Sequence, residues 1–426
     1  MPYPATAMRT VKPVKKPVRK TAQKAARKSA QKAAQKSSKK SSKKSAQKSA
    51  QKSSKKSAMH FVKPQFVDGF DPDAAATGDG LFGLSIGAND ARIVVIPVPF
   101  DATASYGAGT AAGPAHVMAA SKQVDLQDIQ FGPVWQAGIA MLPIAKDIAA
   151  LSKKARRVAE PIIKVGGAVP SNHAKAKAHA KALATVNAAS ERVHSYVAQE
   201  AARILDRGAI PAVLGGDHSS PFGLIAELSA RHPGMGILQI DAHADLRDSF
   251  EGFTWSHASI FHNVMTRLPG VKKLVQVGIR DFGQREAKFI KNSKGRVTTF
   301  FDQRMRDRQF NGATWSAVCK EIITALPHEV YISFDIDGLT SEHCPQTGTP
   351  VPGGLTFPEV CHLLEMLAKT GRRVFGFDLC EVTPSTSGDE WNGSVGARIL
   401  YKLMGCTLLN DFRRETKKAL YGKAWR

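Results

Sequence analysis

The fold class is indicated most directly by Gly236-Ile237-Leu238-Gln239-Ile240-Asp241-Ala242-His243-Ala244-Asp245. The first five residues form a mostly apolar run of strand length, and no charged side chain interrupts it. Asp241, His243 and Asp245 then occupy alternate positions, so in an extended segment their side chains point to one side. An apolar strand followed at once by acid and imidazole groups predicts a ligand site at the end of that strand.

Two other apolar runs are followed by similar polar clusters. Ala212–Leu214 precedes Gly215-Gly216-Asp217-His218-Ser219, and Val330–Phe334 leads into Asp335-Ile336-Asp337-Gly338. The two carboxylates of the last cluster would repel each other at close range unless a cation or a proton neutralised them. Each cluster alone is also typical of a solvated turn. Three clusters behind three strand-like runs instead favour a shared site for a pair of divalent metal ions, and hence a hydrolytic enzyme.

Strand and helix signals alternate along most of the chain. Helices are predicted to begin at Gly113-Pro114 and Ser220-Pro221, and another to lie within Thr314–Leu326. This alternation predicts a single three-layer α/β/α domain with a mainly parallel, doubly wound sheet. The basic, Ala-rich stretch Lys146–Leu205 is interpreted as a solvated helix or an insertion, with a break near Gly166-Gly167. Its His173 and His179 have no carboxylates nearby in sequence, which argues against a metal site there.

The three clusters, in this order, resemble those of the ureohydrolase family, which includes arginases, agmatinases, guanidinobutyrases and guanidine hydrolases. The resemblance runs from about Leu81 to the C-terminus, and the agmatinase-like and guanidine hydrolase-like members are the most similar. It also covers Ala91–Val98, Ser105-Tyr106-Gly107-Ala108-Gly109-Thr110, Gly348-Thr349-Pro350 and Gly376-Phe377-Asp378-Leu379-Cys380-Glu381-Val382. The chain departs from the family at Thr340-Ser341, where Asp-Pro is common. These positions are not metal ligands in the family, so we expect a change of loop shape only.

The resemblance implies two divalent metal ions. One would be held by His218, Asp241, Asp245 and Asp335, and the other by Asp241, His243, Asp335 and Asp337, so that Asp241 and Asp335 bridge them. Carboxylate oxygens mixed with imidazole suit Mn2+, the usual ion of the family, and Ni2+ is the main alternative. Water that bridges two such ions is acidified, which makes hydroxide available near neutral pH.

The resemblance also assigns catalytic roles to Glu381, His257 and Asp245. Glu381 matches the glutamate that binds the guanidinium group, for which it offers two acceptor oxygens. His257 would pass a proton to the leaving nitrogen, because the pKa of imidazole lies nearest neutrality. The side chains of Asp217, Ser219 and Thr349 are interpreted as supports for the ligands or turns.

The loop between Asp245 and His257 bears on the substrate. Residues 246–255 lack the Ser/Asn-rich pattern with which arginases read the α-carboxylate and α-amino groups of an amino acid. They are similar to agmatinase-type and guanidine-hydrolysing sequences. Phe250, Phe253 and Trp255 could line a small substrate pocket or serve as loop anchors. We therefore expect hydrolysis of agmatine to putrescine and urea, with guanidine hydrolase and guanidinobutyrase as alternatives.

Residues 1–60 differ in composition from the rest. They contain 19 Lys and Arg and no Asp or Glu, whereas the remaining residues carry 41 basic and 36 acidic side chains. Like charges four residues apart disfavour a helix, and the segment has too few apolar side chains to bury a core. We predict a disordered tail, then a lead-in segment at 61–90 and a catalytic domain at 91–426. Lysines of the segment at 1–60 recur at every fourth position: Lys24, Lys28, Lys32, Lys36, Lys40, Lys44, Lys48, Lys52 and Lys56.

Such a tail would attract polyanions by counterion release, without base specificity. A polyanion- or nucleic-acid-binding protein is therefore the alternative of a different class; an anionic membrane surface, a solubilising arm and a targeting peptide are further interpretations of the tail. The five cysteines are scattered and odd in number, which favours a reduced, cytoplasmic setting. No apolar run approaches the roughly 20 residues of a membrane span, and no secretory signal is visible. The resemblance implies a homo-oligomer, either a trimer or a hexamer.

Overall fold

The computed structural model describes residues 70–415, with side chains described as far as residue 409. The predicted tail at 1–60 and the beginning of the lead-in segment lie outside that range. Within it, eight strands form one sheet in which every neighbouring pair is parallel. The strands are β1 (Ile93–Val98), β2 (Ile139–Met141), β3 (Ile210–Gly215), β4 (Met235–Ile240), β5 (Val271–Ile279), β6 (Val297–Phe301), β7 (Glu329–Asp335) and β8 (Arg373–Cys380).

Ten α-helices connect or follow these strands in the described part of the chain. They are α1 (Gly113–Ala120), α2 (Lys146–Ile163), α3 (His173–Asp206), α4 (Phe222–Arg231), α5 (Ile260–Arg267), α6 (Gln284–Asn292), α7 (Asp302–Phe310), α8 (Trp315–Thr324), α9 (Phe357–Lys369) and α10 (Trp391–Glu415). The helices predicted at Gly113, after Pro221 and after Thr314 are confirmed. The stretch 146–205 folds as α2 and α3, with the predicted break between them. None of the helices in this range is both long and apolar enough to cross a bilayer.

Apolar side chains cover both faces of the sheet, because successive residues of a strand point to opposite sides. On β1, Ile93 and Val95 belong to one core, which α9 and α10 complete, whereas Val94 and Ile96 belong to a second core with α2 to α5. All four side chains are fully buried, and each such burial contributes about 1.5–3 kcal/mol. One core on each face of a parallel sheet confirms the predicted three-layer, doubly wound fold.

The strand order brings four carboxyl ends together. Across the sheet the order is β2-β1-β3-β8-β7-β4-β5-β6, so β3, β8, β7 and β4 are consecutive although the chain forms them in a different order. Near their ends, Leu214 pairs with Leu379, Asp335 with Cys380, and Ile240 with Phe334. Because the strands are parallel, the segments that follow them share one edge of the sheet. This is the edge where ligands bind in open α/β folds.

Helix α9 is tied to helix α7 by one carboxylate. Glu359, in the first turn of α9, accepts hydrogen bonds from the backbone N–H of Thr356 at 2.9 Å and from both terminal nitrogens of Arg306 on α7, at 2.6 and 3.0 Å. Burial alone would raise the pKa of Glu359, but Arg306 and the Thr356 amide lower it from 4.5 to about 2. The ionised carboxylate therefore stabilises the folded state.

We expect Glu359→Gln to lower the free energy of unfolding by about 2 kcal/mol at pH 7, after allowance for solvent screening of a partly exposed pair. A depressed pKa adds stability above the unfolded value and loses it as the pH falls toward the folded value. The difference between wild type and variant should therefore shrink between about pH 4.5 and pH 2. Urea unfolding at several pH values measures this. The same substitution at the exposed Glu321, which pairs with Arg308, is the control and should cost less than about 1 kcal/mol. A difference that does not vary with pH would contradict the assignment.

Candidate metal centre

The predicted ligands follow three neighbouring strands at one edge of the sheet. His218 lies in the turn after β3, Asp241 directly follows β4, and Asp335 is the last residue of β7. Two glycines allow segments that follow the strands to approach each other closely, Gly216 against the segment after β1 and Gly338 against the segment after β4. A Cβ at Gly216 would lie 1.9 Å from the carbonyl oxygen of Phe100, and one at Gly338 would lie 2.8 Å from the backbone nitrogen of Asp241. No larger residue fits either position without moving the backbone.

Four of the predicted ligands converge on one point. The Nδ1 atom of His218 lies 3.1 Å from Oδ2 of Asp241, 3.2 Å from Oδ2 of Asp245 and 3.2 Å from Oδ2 of Asp335. That nitrogen is buried and makes no hydrogen bond of acceptable geometry within the described residues. Donor atoms about 3 Å apart have the spacing of neighbouring ligands around an ion bound at about 2.1 Å. The group therefore fits a divalent metal ion.

A second group shares Asp241 with the first. Nδ1 of His243 lies 3.0 Å from Oδ2 of Asp337 and 3.7 Å from Oδ1 of Asp241. The two oxygens of Asp241 thus face different imidazoles. Asp335 turns Oδ2 toward His218 and accepts a hydrogen bond from the backbone N–H of Asp337 on Oδ1, at 2.9 Å. The structure brings all six predicted ligands together; His173 and His179 are in neither group.

The crowded carboxylates at this edge need compensating positive charge. Burial and the neighbouring Asp337 raise the pKa of Asp335, and burial and Asp241 raise the pKa of Asp245 to about 7. Burial alone would lower the pKa of His243, but Asp337 and Asp241 raise it to about 12. Without metal, protons therefore compensate the crowded carboxylates. Two divalent ions would supply that positive charge, and the nitrogen and oxygen donors suit Mn2+ or Ni2+.

The second nitrogen of His218 is fixed by a chain of buried polar groups. Nε2 lies 3.0 Å from Oγ of Ser333, and the Ser333 hydroxyl donates to Oδ2 of Asp378 at 2.7 Å. The same oxygen accepts from the Tyr331 hydroxyl at 2.7 Å. Because Nδ1 must be free of a proton to bind metal, Nε2–H donates to Ser333, which sets the orientation of the ring. In the sequence, Ser333 and Asp378 are each a polar residue within a mostly apolar strand, so the patterns that predict the metal ligands do not include them.

Glu381 follows β8 and is buried beside the first group. Its Oε1 accepts a hydrogen bond from the backbone N–H of His218 at 2.8 Å, and its carbonyl oxygen accepts one from the Thr347 hydroxyl at 2.9 Å. Burial, together with Asp335 and Asp217, raises the pKa of Glu381 well above its usual value. A cationic group beside Glu381 would restore its ionised form. Asp217 itself accepts from the backbone N–H and the hydroxyl of Ser219, at 3.1 and 2.5 Å, and so supports the turn.

His257 lies at the start of a 3-10 turn and is half-buried. Its backbone N–H donates to Oγ1 of Thr103 at 3.3 Å, and its Nδ1 lies 3.3 Å from Oγ of Ser256. Burial, together with the nearby His243 and His218, lowers the pKa of its imidazole to about 3. The ring is therefore neutral at physiological pH.

The three aromatic residues of the loop at 246–255 occupy different environments. Phe253 is fully buried, and Trp255 is 8% exposed and packs against His194 and Phe222 at ring-centroid distances of 4.8 Å. These contacts favour the interpretation of Phe253 and Trp255 as loop anchors. Phe250 is half-buried, and its ring centroid lies 6.1 Å from that of His257. Of the three, Phe250 is the one that contacts a predicted catalytic residue.

Backbone strain is concentrated around the same groups. Five non-glycine residues in the described range have positive φ, and three of them are Asp245 at 52°, Glu251 at 53° and Glu381 at 65°. Each such residue costs of order 1–3 kcal/mol and persists only where surrounding structure enforces it. Two of the three are predicted catalytic residues, which indicates that the fold gives up stability to position them.

The parallel sheet and the two candidate ligand groups that share Asp241 fit a binuclear metal-dependent hydrolase. The sequence profile described as the Arginase family matches residues 91–406. The chain therefore belongs to the arginase family and is a ureohydrolase, an enzyme that acts on C–N bonds of linear amidines in guanidino compounds. The resemblance predicted from the sequence is confirmed.

Relatives within the family differ in their substrates. The N(1)-aminopropylagmatine ureohydrolase of Thermus thermophilus is 30% identical over 317 residues, which cover 74% of this chain and 90% of that protein. The agmatinase of Pyrococcus horikoshii is 28% identical, covering 75% and 94%. Among solved structures, the agmatine ureohydrolase of Thermoplasma volcanium superimposes with a TM-score of 0.58 at 21% identity, covering 78% of this chain and 94% of that chain. The structural likeness supports the fold alone.

We expect the wild-type protein to bind two Mn2+ ions. Asp241→Asn should lower the affinity for both ions, because one oxygen of Asp241 faces each ligand group. Asp337→Asn should lower the affinity for one ion and leave the affinity for the other nearly unchanged. Calorimetric titration with Mn2+ and metal analysis after desalting measure the number and affinity of the ions. Asp307→Asn, which removes an exposed carboxylate from α7, is the control. Two ions of unchanged affinity in Asp241→Asn would contradict the shared position.

Proposed function

We propose that this chain hydrolyses agmatine, or an agmatine extended at its amino end, to urea and a polyamine. The observation that carries this proposal is the pair of ligand groups sharing Asp241, with the buried carboxylate of Glu381 beside them. The names of the relatives, an aminopropylagmatine ureohydrolase and an agmatinase, support this choice among guanidino compounds. Mn2+ is the proposed ion, and Ni2+ is the alternative.

His218, Asp241, Asp245 and Asp335 would hold one ion, and Asp241, His243, Asp335 and Asp337 the other. When bound, two such ions acidify water and make a hydroxide nucleophile available near neutral pH. The protein itself must hold the ligand side chains in the correct orientation. Ser333 orients the His218 ring through Nε2, and the positive φ of Asp245 directs its carboxylate back toward His218. Positioning of this kind keeps the ligands in place during the reaction.

Glu381 would bind and orient the guanidinium group. One carboxylate oxygen is held by the His218 amide, and a Cβ built at Gly348 would lie 3.4 Å from the other. The absence of a side chain at Gly348 therefore leaves space beside that oxygen. A guanidinium cation placed there would form charge-assisted hydrogen bonds and offset the burial of the carboxylate. The planar cation is thereby held where its central carbon can be attacked.

His257 would move the proton that the leaving nitrogen requires. Ser256 occupies its Nδ1, so Nε2 is the atom that would carry the proton. The low pKa of the imidazole means that a proton accepted there is released readily. The tetrahedral intermediate then breaks its C–N bond, and the products are urea and a neutral amine.

We propose a cytoplasmic enzyme, because all five cysteines are buried free thiols. We also propose assembly into a trimer or hexamer and contact of residues 1–60 with polyanions. A protein whose main role is polyanion binding is the alternative of a different class. The six ligand positions, all filled, favour the enzyme.

The proposed function is tested by urea release from the metal-loaded full chain. The substrates are agmatine, N(1)-aminopropylagmatine, guanidinobutyrate, guanidine and arginine, each with Mn2+ and with Ni2+. We expect the highest kcat/KM with agmatine or its aminopropyl derivative. If guanidine were the only compound that released urea, the enzyme would be a guanidine hydrolase and the proposal would be wrong. The absence of urea from every compound with either metal would overturn the enzyme assignment for this set of substrates.

We expect Glu381→Gln to lower kcat/KM for the best substrate by on the order of 100-fold, since it removes one partner of a buried charge pair. The number of bound Mn2+ ions should not change, because Glu381 belongs to neither ligand group. Steady-state kinetics and metal analysis of the same preparation separate the two effects. An unchanged kcat/KM would refute the assignment of Glu381 to the guanidinium group.

A further inference from the structure

A second carboxylate lies in the loop that leads to His257, and one of its oxygens has no hydrogen-bond partner among the described residues. Glu251 lies in the loop between Asp245 and His257, with φ at 53° and Gly252 after it at 86°. Its Oε2 atom is buried and has no hydrogen-bond partner among the described residues. A buried carboxylate oxygen without a partner costs free energy, and a non-glycine residue in left-handed backbone adds to that cost. Such a combination needs a compensating interaction.

The surrounding structure holds Glu251 rigidly. A Cβ at Gly167, in the turn between α2 and α3, would lie 2.6 Å from the Cα and carbonyl carbon of Glu251, so the turn packs directly on this backbone. A Cβ at Gly252 would lie 3.0 Å from Leu183 of α3. The loop is therefore fixed by the α2–α3 pair, which makes it a preformed surface. A preformed charge can discriminate between ligands with little ordering cost on binding.

The position of Glu251 relates it to the catalytic groups. The preceding residue, Phe250, places its ring beside His257. On the other side, Arg156 donates to the carbonyl of Ala104, next to Thr103, whose hydroxyl accepts the N–H of His257. Burial raises the pKa of Glu251, and Arg156 is near enough to oppose that rise. Two sets of contacts therefore lead from Glu251 to His257: one runs through the neighbouring Phe250, and the other runs through Arg156 and the segment at Thr103 and Ala104.

We propose that Glu251 determines substrate specificity by pairing with the ammonium group at the far end of an aminoalkylguanidine. This inference rests on the proposed function, in which Glu381 binds the guanidinium end of the same molecule. A carboxylate at this point would attract the distal ammonium of agmatine or N(1)-aminopropylagmatine. It would repel the carboxylate of guanidinobutyrate, and it would not affect guanidine, which has no tail. The unpartnered Oε2 then has a partner whenever substrate is bound.

The kinetic test uses Glu251→Gln in the metal-loaded full chain. The loss of a charge-assisted hydrogen bond should raise KM for agmatine by roughly 10- to 100-fold and change kcat by less than about threefold. The kcat/KM for guanidine should stay the same, and that for guanidinobutyrate should rise. Glu321→Gln, which removes an exposed carboxylate of α8, is the matched control and should match wild type. Equal losses on agmatine and guanidine would show a structural role only and overturn the proposal, as would no change on either.

A binding measurement separates this proposal from the proposed function. Putrescine carries an ammonium tail but no guanidinium group, so its calorimetric Kd for the Mn2+-loaded protein reports on Glu251 without turnover. We expect Glu251→Gln to raise that Kd at least about tenfold, with two Mn2+ ions still bound. If wild type releases no urea but binds putrescine in this Glu251-dependent way, the proposed function fails and the specificity assignment stands. A Kd that is the same in variant and wild type would overturn the assignment.

Discussion

The repulsion between buried carboxylates at one edge of the sheet is the constraint on which the site depends. Asp241, Asp245, Asp335 and Asp337 are all nearly inaccessible to solvent, and their crowding raises the pKa values of Asp335, Asp245 and His243, so that protons on these groups offset the negative charge when no cation is bound. Two divalent ions remove that repulsion and gain ligands already spaced about 3 Å apart. The carboxylates stay close together because the sheet below them is packed between two apolar cores, which hold the strand ends in place. Stability and metal binding are thus linked.

Much of this arrangement could be predicted from the sequence, because the signals are local. An apolar run of strand length and the acid and histidine residues after it lie within ten residues of each other, as in 236–245. Parallel pairing then follows from the alternation of strands and helices, and the structure confirms that fold. The assembly of His218, Asp241 and Asp335 needed only the rule that carboxyl ends of parallel strands share an edge.

The features that the sequence did not reveal depend on tertiary contacts. Ser333 and Asp378 act together only because β7 and β8 pair in a register that places them side by side; either residue alone is just one polar side chain in an apolar strand. The same limit applies to Trp255, whose role as anchor depends on α3 and α4 packing beside it. Glu251 is distinguished by its backbone angle and a buried oxygen, neither of which leaves a sequence pattern.

The most direct test of the account is a crystal structure of the Mn2+-loaded protein with anomalous diffraction recorded at the manganese edge. We expect two anomalous peaks about 3.5–4 Å apart, one beside Nδ1 of His218 and one beside Nδ1 of His243, with Asp241 between them. A single peak, or peaks away from these imidazoles, would contradict the claim that six side chains of the sheet edge hold a pair of ions.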